Sequence, residues 1–223
     1  MTARAIRRIV LCASVALASV SATAGAQDVG AKLAKAKHAL DRAAEKRQTQ
    51  RATERFDPIF KKYTKRYFGV GTDWRWFKAQ GMAESDLTPG ARSRVGARGI
   101  MQLMPATYGL IQTALPNFGA IDNPEWNIAA GILHDRDLWT VWKPHVVDES
   151  ERWHFMFAGY NAGEGTIKRA RKVASAAKLD INTWPSIERV APGVERWRYA
   201  ETLDYVKKIR ANKEALSARG HAR

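Results

Sequence analysis

Apolar residues recur at helical spacing through the chain from Phe56 onward. All of the phenylalanine, tyrosine and tryptophan residues lie in this part, and alternating, β-branched segments are nearly absent. The pattern predicts a mostly α-helical domain over residues 56–215, with at most a short extended or β element near residues 95–103. Residues 216–223 are expected to form a disordered tail.

Helix-start signals recur through this domain. Polar side chains that cap the first backbone N–H groups of a helix precede several apolar stretches. They are Asn123 before Pro124, Asp148 with Glu151 three residues later, and Thr183 before Trp184 and Pro185. Pro105 suits the first turn of another helix, and a last helix is expected from about Arg196 through "YAETLDYVKKI".

The first 26 residues have the pattern of an export signal. Three arginines precede the apolar stretch "IVLCASVALASV", and the small-residue segment "SATAGA" follows it. The apolar stretch is too short for a membrane span, so we expect cleavage near Ala26 and a periplasmic or secreted mature chain without a membrane span. The only cysteine, Cys12, would be removed with the signal.

The protein is strongly basic. Its formal net charge is +15, and removal of the three signal arginines leaves 15 − 3 = +12. Residues 27–55 are rich in alanine, lysine and arginine and contain no aromatic residue, which predicts a solvated basic helix or a flexible arm. An exported basic chain meets acidic wall peptides, wall polymers and lipid head groups, and we expect no specific nucleic-acid partner.

Glu84 is the strongest candidate for acid chemistry. The segment "TDWRWFKAQGMAES" predicts a helix that starts near Thr72 or Asp73, and Pro89 excludes Thr88 from the helical conformation. Glu84 then lies in the last turn, where the helix dipole and apolar neighbours would raise its pKa and favour proton donation. A solvated surface charge is the alternative reading of this residue.

Four segments together carry a resemblance to a known family. "AES", "GARGIMQLMPAT", "AGYNAGEG" and "YAETLDYVKKI" occur in this order. In these segments, the chain from about Phe56 to Arg210 resembles the soluble lytic transglycosylase-like (SLT) domain, a helical, goose-type lysozyme-like fold that cleaves bacterial peptidoglycan. Residues 184–209 are most similar to the catalytic module of the membrane-bound lytic transglycosylase F type. Gly159 and Ile100 depart mildly from the usual family pattern.

The resemblance implies a role for each matching residue. Glu84 would be the catalytic acid and base, with Ser85 supporting the substrate or the acid. The expected substrate-binding residues are Ser85, Gly99, Met101, Gln102, Tyr160, Asn161 and Tyr205, with the Tyr160 hydroxyl within reach of the acid. Without the resemblance, the two tyrosines could be core residues, and Asn161 could be a helix cap.

The implied reaction is cleavage of the β-1,4 bond between N-acetylmuramic acid and N-acetylglucosamine, with formation of 1,6-anhydromuramic acid. A hydrolytic muramidase, with Asp86 or Asp73 positioning water, remains open, and so does a non-catalytic wall-binding or scaffold protein. The basic residues 27–55 could bind polyanions as an accessory activity. Wall-associated or secretion-system partners also remain open.

No cofactor and no metal are expected, because the histidines lack metal-site spacing. Most tryptophans should lie in the core, and Trp184 and Trp197 are the better candidates for stacking on sugar.

Overall fold

The computed structural model describes residues 32–44 and 54–221. The chain divides into two compact units between Arg55 and Phe56, where aromatic residues begin. In the first unit, residues 32–44 form helix α1, whose side chains are all exposed. The predicted export signal over residues 1–26 lies outside the described residues, as do residues 27–31 and 45–53 of the basic segment.

Helices build the second unit. They are α2 (Asp57–Phe68), α3 (Arg75–Ser85), α4 (Pro105–Ala114), α5 (Pro124–Trp142), α6 (Glu149–Ala162), α7 (Glu164–Ala176), α8 (Trp184–Val190) and α9 (Tyr199–His221), with a 3₁₀ turn at Ala191–Gly193. Within residues 32–44 and 54–221 there is no strand, only isolated antiparallel bridges from Arg98 to Arg92 and to Leu103. The predicted helical class is therefore confirmed, and the isolated bridges agree with the prediction of at most a short extended or β element near residues 95–103.

The capping signals explain where two of the long helices begin. The Asn123 side chain accepts hydrogen bonds from the backbone N–H groups of Glu125 and Trp126 at the start of α5. Asp148 accepts a hydrogen bond from the Ser150 N–H at the start of α6. Each bond satisfies a donor that the helix itself leaves unpaired, so both predicted starts are confirmed.

Helix α6 is the centre of the domain, because it packs against α5, α7, α8 and α9. Trp153 on α6 stacks on Trp76 of α3, with ring centroids 5.3 Å apart, and packs at 4.7 Å against Trp139 of α5. Phe68 and Phe77 join the same cluster. These rings supply the large apolar anchors that the domain needs, because it has no disulfide.

Two tryptophans differ from the expectation that they stack on sugar. Trp184 is 2% exposed and Trp197 is 8% exposed. Trp184 packs against Phe155 and His154, and the Trp197 indole donates a hydrogen bond to Thr202. Both rings therefore belong to the core. Their predicted position beside turns near the groove did not indicate that the rings are exposed.

Helices α3 and α9 lie antiparallel. The Asn212 amide donates to the carbonyl of Ala79, and Lys208 Nζ donates to the carbonyl of Ala83, both at 3.2 Å. Helix α9 continues to His221, and Leu216 packs against the core, so residues 216–221 are helical where a disordered tail was expected. Burial of one more apolar residue stabilises the additional turns.

Gly131 of α5 offers a sharp test of this packing. A Cβ at this position would lie 2.7 Å from the Met101 Cβ, so Gly131→Ala should lower the free energy of unfolding by about 1–3 kcal/mol. Denaturant unfolding monitored by circular dichroism measures this loss.

Gly109 in α4 is the matched control, since a Cβ there meets no atom within 4 Å. Gly109→Ala should raise the free energy of unfolding by about 0.5–1 kcal/mol, because alanine favours the helix. Equal effects of the two substitutions would contradict the packing described for Gly131.

Candidate active site

Glu84 lies in the last turn of α3, as predicted. The helix ends at Ser85 because Asp86 adopts a left-handed conformation with φ of 51°. The N–H of Asp86 then bonds the carbonyl of Met82, and the N–H of Leu87 bonds the carbonyl of Gly81. This cap fixes the backbone that carries the Glu84 side chain.

Glu84 is partly buried and has one direct hydrogen-bonding partner that comes from a distant helix. The hydroxyl of Tyr205 on α9 donates to Glu84 Oε1 at 2.6 Å. Burial raises the pKa of Glu84 to about 7, while the Tyr205 bond and the charge of Lys208 act in the lowering direction. Both the protonated and the ionised forms are therefore populated near neutral pH, as general acid–base chemistry requires.

The loop between α3 and α4 is fixed against α5 by one buried side chain. Asn127 Oδ1 accepts a hydrogen bond from the Met101 N–H at 2.8 Å, and its amide donates to the carbonyls of Arg98 and Ile121. Gly99 has φ of +76°, and a Cβ there would lie 2.4 Å from the Asn127 amide nitrogen. Glycine is required at this position by both conformation and contact.

The structure assigns different positions to the predicted loop residues. Gly99 and Met101 are buried, Gly99 against Asn127 and Met101 against Gly131. Gln102 is partly exposed and donates a side-chain hydrogen bond to the Gly99 carbonyl. Contact of these three residues with substrate stays a prediction.

Ser85 joins the end of α3 to the same loop. Its hydroxyl donates to the carbonyl of Ile100 at 2.8 Å and accepts a hydrogen bond from the Thr88 N–H. These contacts hold the last turn of α3, which carries Glu84, against the loop.

Tyr160 and Asn161 lie at the end of α6 and have separate partners. The Tyr160 hydroxyl donates to the Met101 carbonyl at 2.7 Å, whereas the tyrosine bonded to Glu84 is Tyr205. Burial and the charge of Glu84 raise the pKa of both tyrosines, so both hydroxyls keep their protons. Asn161 is exposed and accepts a hydrogen bond from Thr202.

One face of α5 contributes residues that the sequence analysis missed. Asn127, Gly131 and Asp135 follow one another at intervals of four and are all buried. This spacing places them on the same side of the helix, toward the loop and α3. A polar or small residue at every fourth position, among the apolar residues of the buried face, is the signal that could have revealed them.

Within residues 32–44 and 54–221, no group of three or more histidine, cysteine, aspartate or glutamate residues could hold a metal ion. In the same part of the chain, no helix is both long and apolar enough to cross a membrane.

Tyr205→Phe should raise the pKa of Glu84 from about 7 by about one pH unit, because the carboxylate loses its hydrogen-bond donor. Lys208→Met should move it in the same direction by less. Carbon-13 NMR of the carboxyl groups measures both changes. Lys207→Met is the control, since Lys207 is not among the groups that shift the Glu84 pKa, and a titration that falls in Tyr205→Phe would contradict the assignment.

Comparisons with known proteins identify relatives of this domain. Residues 58–183 match the family model "Transglycosylase SLT domain". Membrane-bound lytic murein transglycosylase F of Shewanella oneidensis is 31% identical over 155 residues, which cover 70% of this chain and 31% of that protein. The protein of the same name from Shewanella denitrificans is 29% identical and matches over 70% of this chain and 30% of its own. The chain thus spans about a third of the length of these relatives.

Solved structures agree with the fold. The 70 kDa soluble lytic transglycosylase of Escherichia coli shares 26% identity with a TM-score of 0.54, and the match covers 71% of this chain and 23% of that one. An inactive glutamate-to-glutamine variant of the lytic transglycosylase Slt of Pseudomonas aeruginosa has a TM-score of 0.58 at 21% identity, over 76% of this chain and 25% of that one. The match over residues 58–183, which includes Glu84, shows that the chain belongs to the transglycosylase SLT domain family.

Proposed function

We propose that the protein is a peptidoglycan lytic transglycosylase in which Glu84 is the single catalytic acid and base. The observation that carries the proposal is the Glu84 carboxyl, which is partly buried, bonded to Tyr205 and has a pKa of about 7. Family membership supplies the substrate class, and the names of the relatives are consistent with it.

The proposed reaction begins with proton donation. Protonated Glu84 gives its proton to the oxygen between N-acetylmuramic acid and N-acetylglucosamine. The bond between that oxygen and C1 of N-acetylmuramic acid then breaks. The 2-acetamido group of the substrate stabilises the cation that develops at C1. The Tyr205 hydroxyl stabilises the glutamate once its proton has left, because it donates a hydrogen bond to the charged form.

Ring closure completes the cycle. Ionised Glu84 takes the proton of the C6 hydroxyl as that oxygen bonds to C1, and the product is a 1,6-anhydro sugar. The proton returns to Glu84, so the reaction consumes neither water nor a net proton.

The surrounding carboxyl groups favour this reaction over hydrolysis. Hydrolysis with two carboxyl groups needs the second one beside the substrate, as nucleophile or as base for water. Asp86 is exposed at the helix cap, and Asp73 pairs with Arg75 and Lys213. Asp135 is fully buried and has no access to bulk water.

The other predicted features extend this proposal. Substrate contacts would come from Gln102, Asn161, the two tyrosines and the loop at Gly99 and Met101, with Ser85 supporting the acid. Export through the signal over residues 1–26 would deliver the enzyme to the wall, and the exposed basic helix α1 would assist binding to acidic wall polymers.

Glu84→Gln should reduce the release of soluble fragments from purified sacculi at least about hundredfold, because it removes the proton donor. Asp86→Asn is the matched control and should retain activity, since Asp86 is exposed and asparagine tolerates its left-handed conformation. Retention of activity by Glu84→Gln, or its loss only in Asp86→Asn, would refute the assignment.

The free energy of unfolding should depend on pH differently in Glu84→Gln and in the wild type. The folded protein binds the Glu84 proton more tightly than the unfolded chain, so wild-type stability falls as pH rises from about 4.5 to about 7. The variant lacks this loss and should gain stability relative to wild type over that range, as thermal unfolding can show.

Mass spectrometry of the products separates the remaining alternatives. Anhydromuramic ends support transglycosylation, whereas reducing muramic acid ends would identify a muramidase. Glycan binding without products would identify a scaffold protein.

A further inference from the structure

A buried pair of polar side chains lies beside the candidate acid. Gln80 precedes Glu84 by one turn of α3, and Asp135 faces it from α5. Both residues are 0% exposed. The Gln80 amide nitrogen donates to Asp135 Oδ1 at 3.2 Å. The pair therefore connects the helix that carries Glu84 to the helix that holds the loop.

Each member of this pair has a second polar atom that needs a partner. Gln80 Oε1 and Asp135 Oδ2 are buried and have no hydrogen-bond partner within the described residues. Both atoms are acceptors when Asp135 is ionised, so they cannot bond each other. A proton on Oδ2 changes this, because the O–H can then donate to Oε1. One proton thus satisfies both atoms and removes the cost of burying a charge.

The surroundings of Asp135 favour its protonated form. Glu84 on α3, Tyr160 on α6 and Tyr205 on α9 interact with Asp135 electrostatically. Burial is the largest cause that raises the pKa of Asp135 and the charge of Glu84 raises it further, whereas the hydrogen bond from Gln80 acts in the lowering direction. Burial and the charge of Glu84 both disfavour a carboxylate at this position.

Helix α2 also packs against α5, but four of its five charged side chains have other partners, and the fifth, Lys65, is exposed. Lys62 pairs with Glu125, and Asp57 pairs with Lys78. Lys61 lies over the ring of Trp74, and Arg66 lies over that of Tyr67.

We propose that Asp135 is a positioning residue for Glu84: its protonated carboxyl forms a two-bond ring with the Gln80 amide and gives α3 a rigid, uncharged support beside the acid. The ring holds one turn of α3 against α5, while the neutral state leaves Glu84 as the only carboxylate of the site near neutral pH. The effect on turnover rests on the proposed function, whereas the protonation state does not.

The first test measures the protonation state without activity. Carbon-13 NMR of the carboxyl groups in the full chain should show Asp135 protonated through the pH range in which Glu84 ionises. In Glu84→Gln, Asp135 should titrate at lower pH than in the wild type, because the neighbouring negative charge is absent. An Asp135 that ionises as an ordinary aspartate near pH 4 would overturn the proposal.

The second test uses substitutions of Asp135. Asparagine can make both bonds of the ring, so Asp135→Asn should keep the rate within about threefold of wild type and leave the Glu84 titration unchanged. If Asp135 were ionised in the native protein, the same substitution would remove a negative charge and lower the Glu84 titration. That lowering would refute the proposal.

Asp135→Leu removes both bonds and leaves the Gln80 amide unpaired. The rate should then fall about tenfold or more, because α3 loses its fixed position. Asp137→Asn, two residues away on the exposed side of α5, is the control for a charge change on the same helix and should leave the rate unchanged. Wild-type rates in Asp135→Leu would contradict the positioning role.

If Asp135→Leu does not fold, NMR and Asp135→Asn still decide the outcome. If the protein releases no product from sacculi, the proposed function fails, while the two NMR titrations continue to test the acid–amide ring.

Discussion

The candidate site depends on keeping one carboxyl group largely away from water while leaving it partly exposed. Burial alone raises the pKa of Glu84, and the Tyr205 hydrogen bond limits that rise to a value of about 7. A more exposed glutamate would be ionised and unable to donate, whereas one without the Tyr205 hydrogen bond would hold its proton more tightly and donate it less readily. The antiparallel packing of α3 on α9 provides both conditions at once.

The loop between α3 and α4 is also held in place by a few hydrogen bonds from neighbouring helices. Asn127 binds the backbone of this loop at two points, Met101 and Arg98, and Ser85 binds it from the end of α3. Tyr160 adds a further bond at the Met101 carbonyl. Several residues that were expected to contact substrate therefore make hydrogen bonds within the protein. These bonds fix the loop, so that the position of its side chains is as well defined as on a helix.

The sequence was most informative where chemistry is local. Asn123 and Asp148 mark their helix starts by their own side-chain bonds, and the position of Glu84 follows from the helix end before Pro89. It was less informative where two distant segments meet. The choice of Tyr205 over Tyr160 as the partner of Glu84 depends on the angle between helices, and the burial of Trp184 and Trp197 depends on packing. Neither property has a local pattern.

The order of the helices has a consequence for biosynthesis. Tyr205 belongs to the last helix that the structure describes, 121 positions after the glutamate it contacts. Synthesis must therefore extend at least through Tyr205 before the acid can acquire its partner. A nascent chain that stops short of α9 lacks this hydrogen bond, so the site cannot form from its N-terminal helices alone.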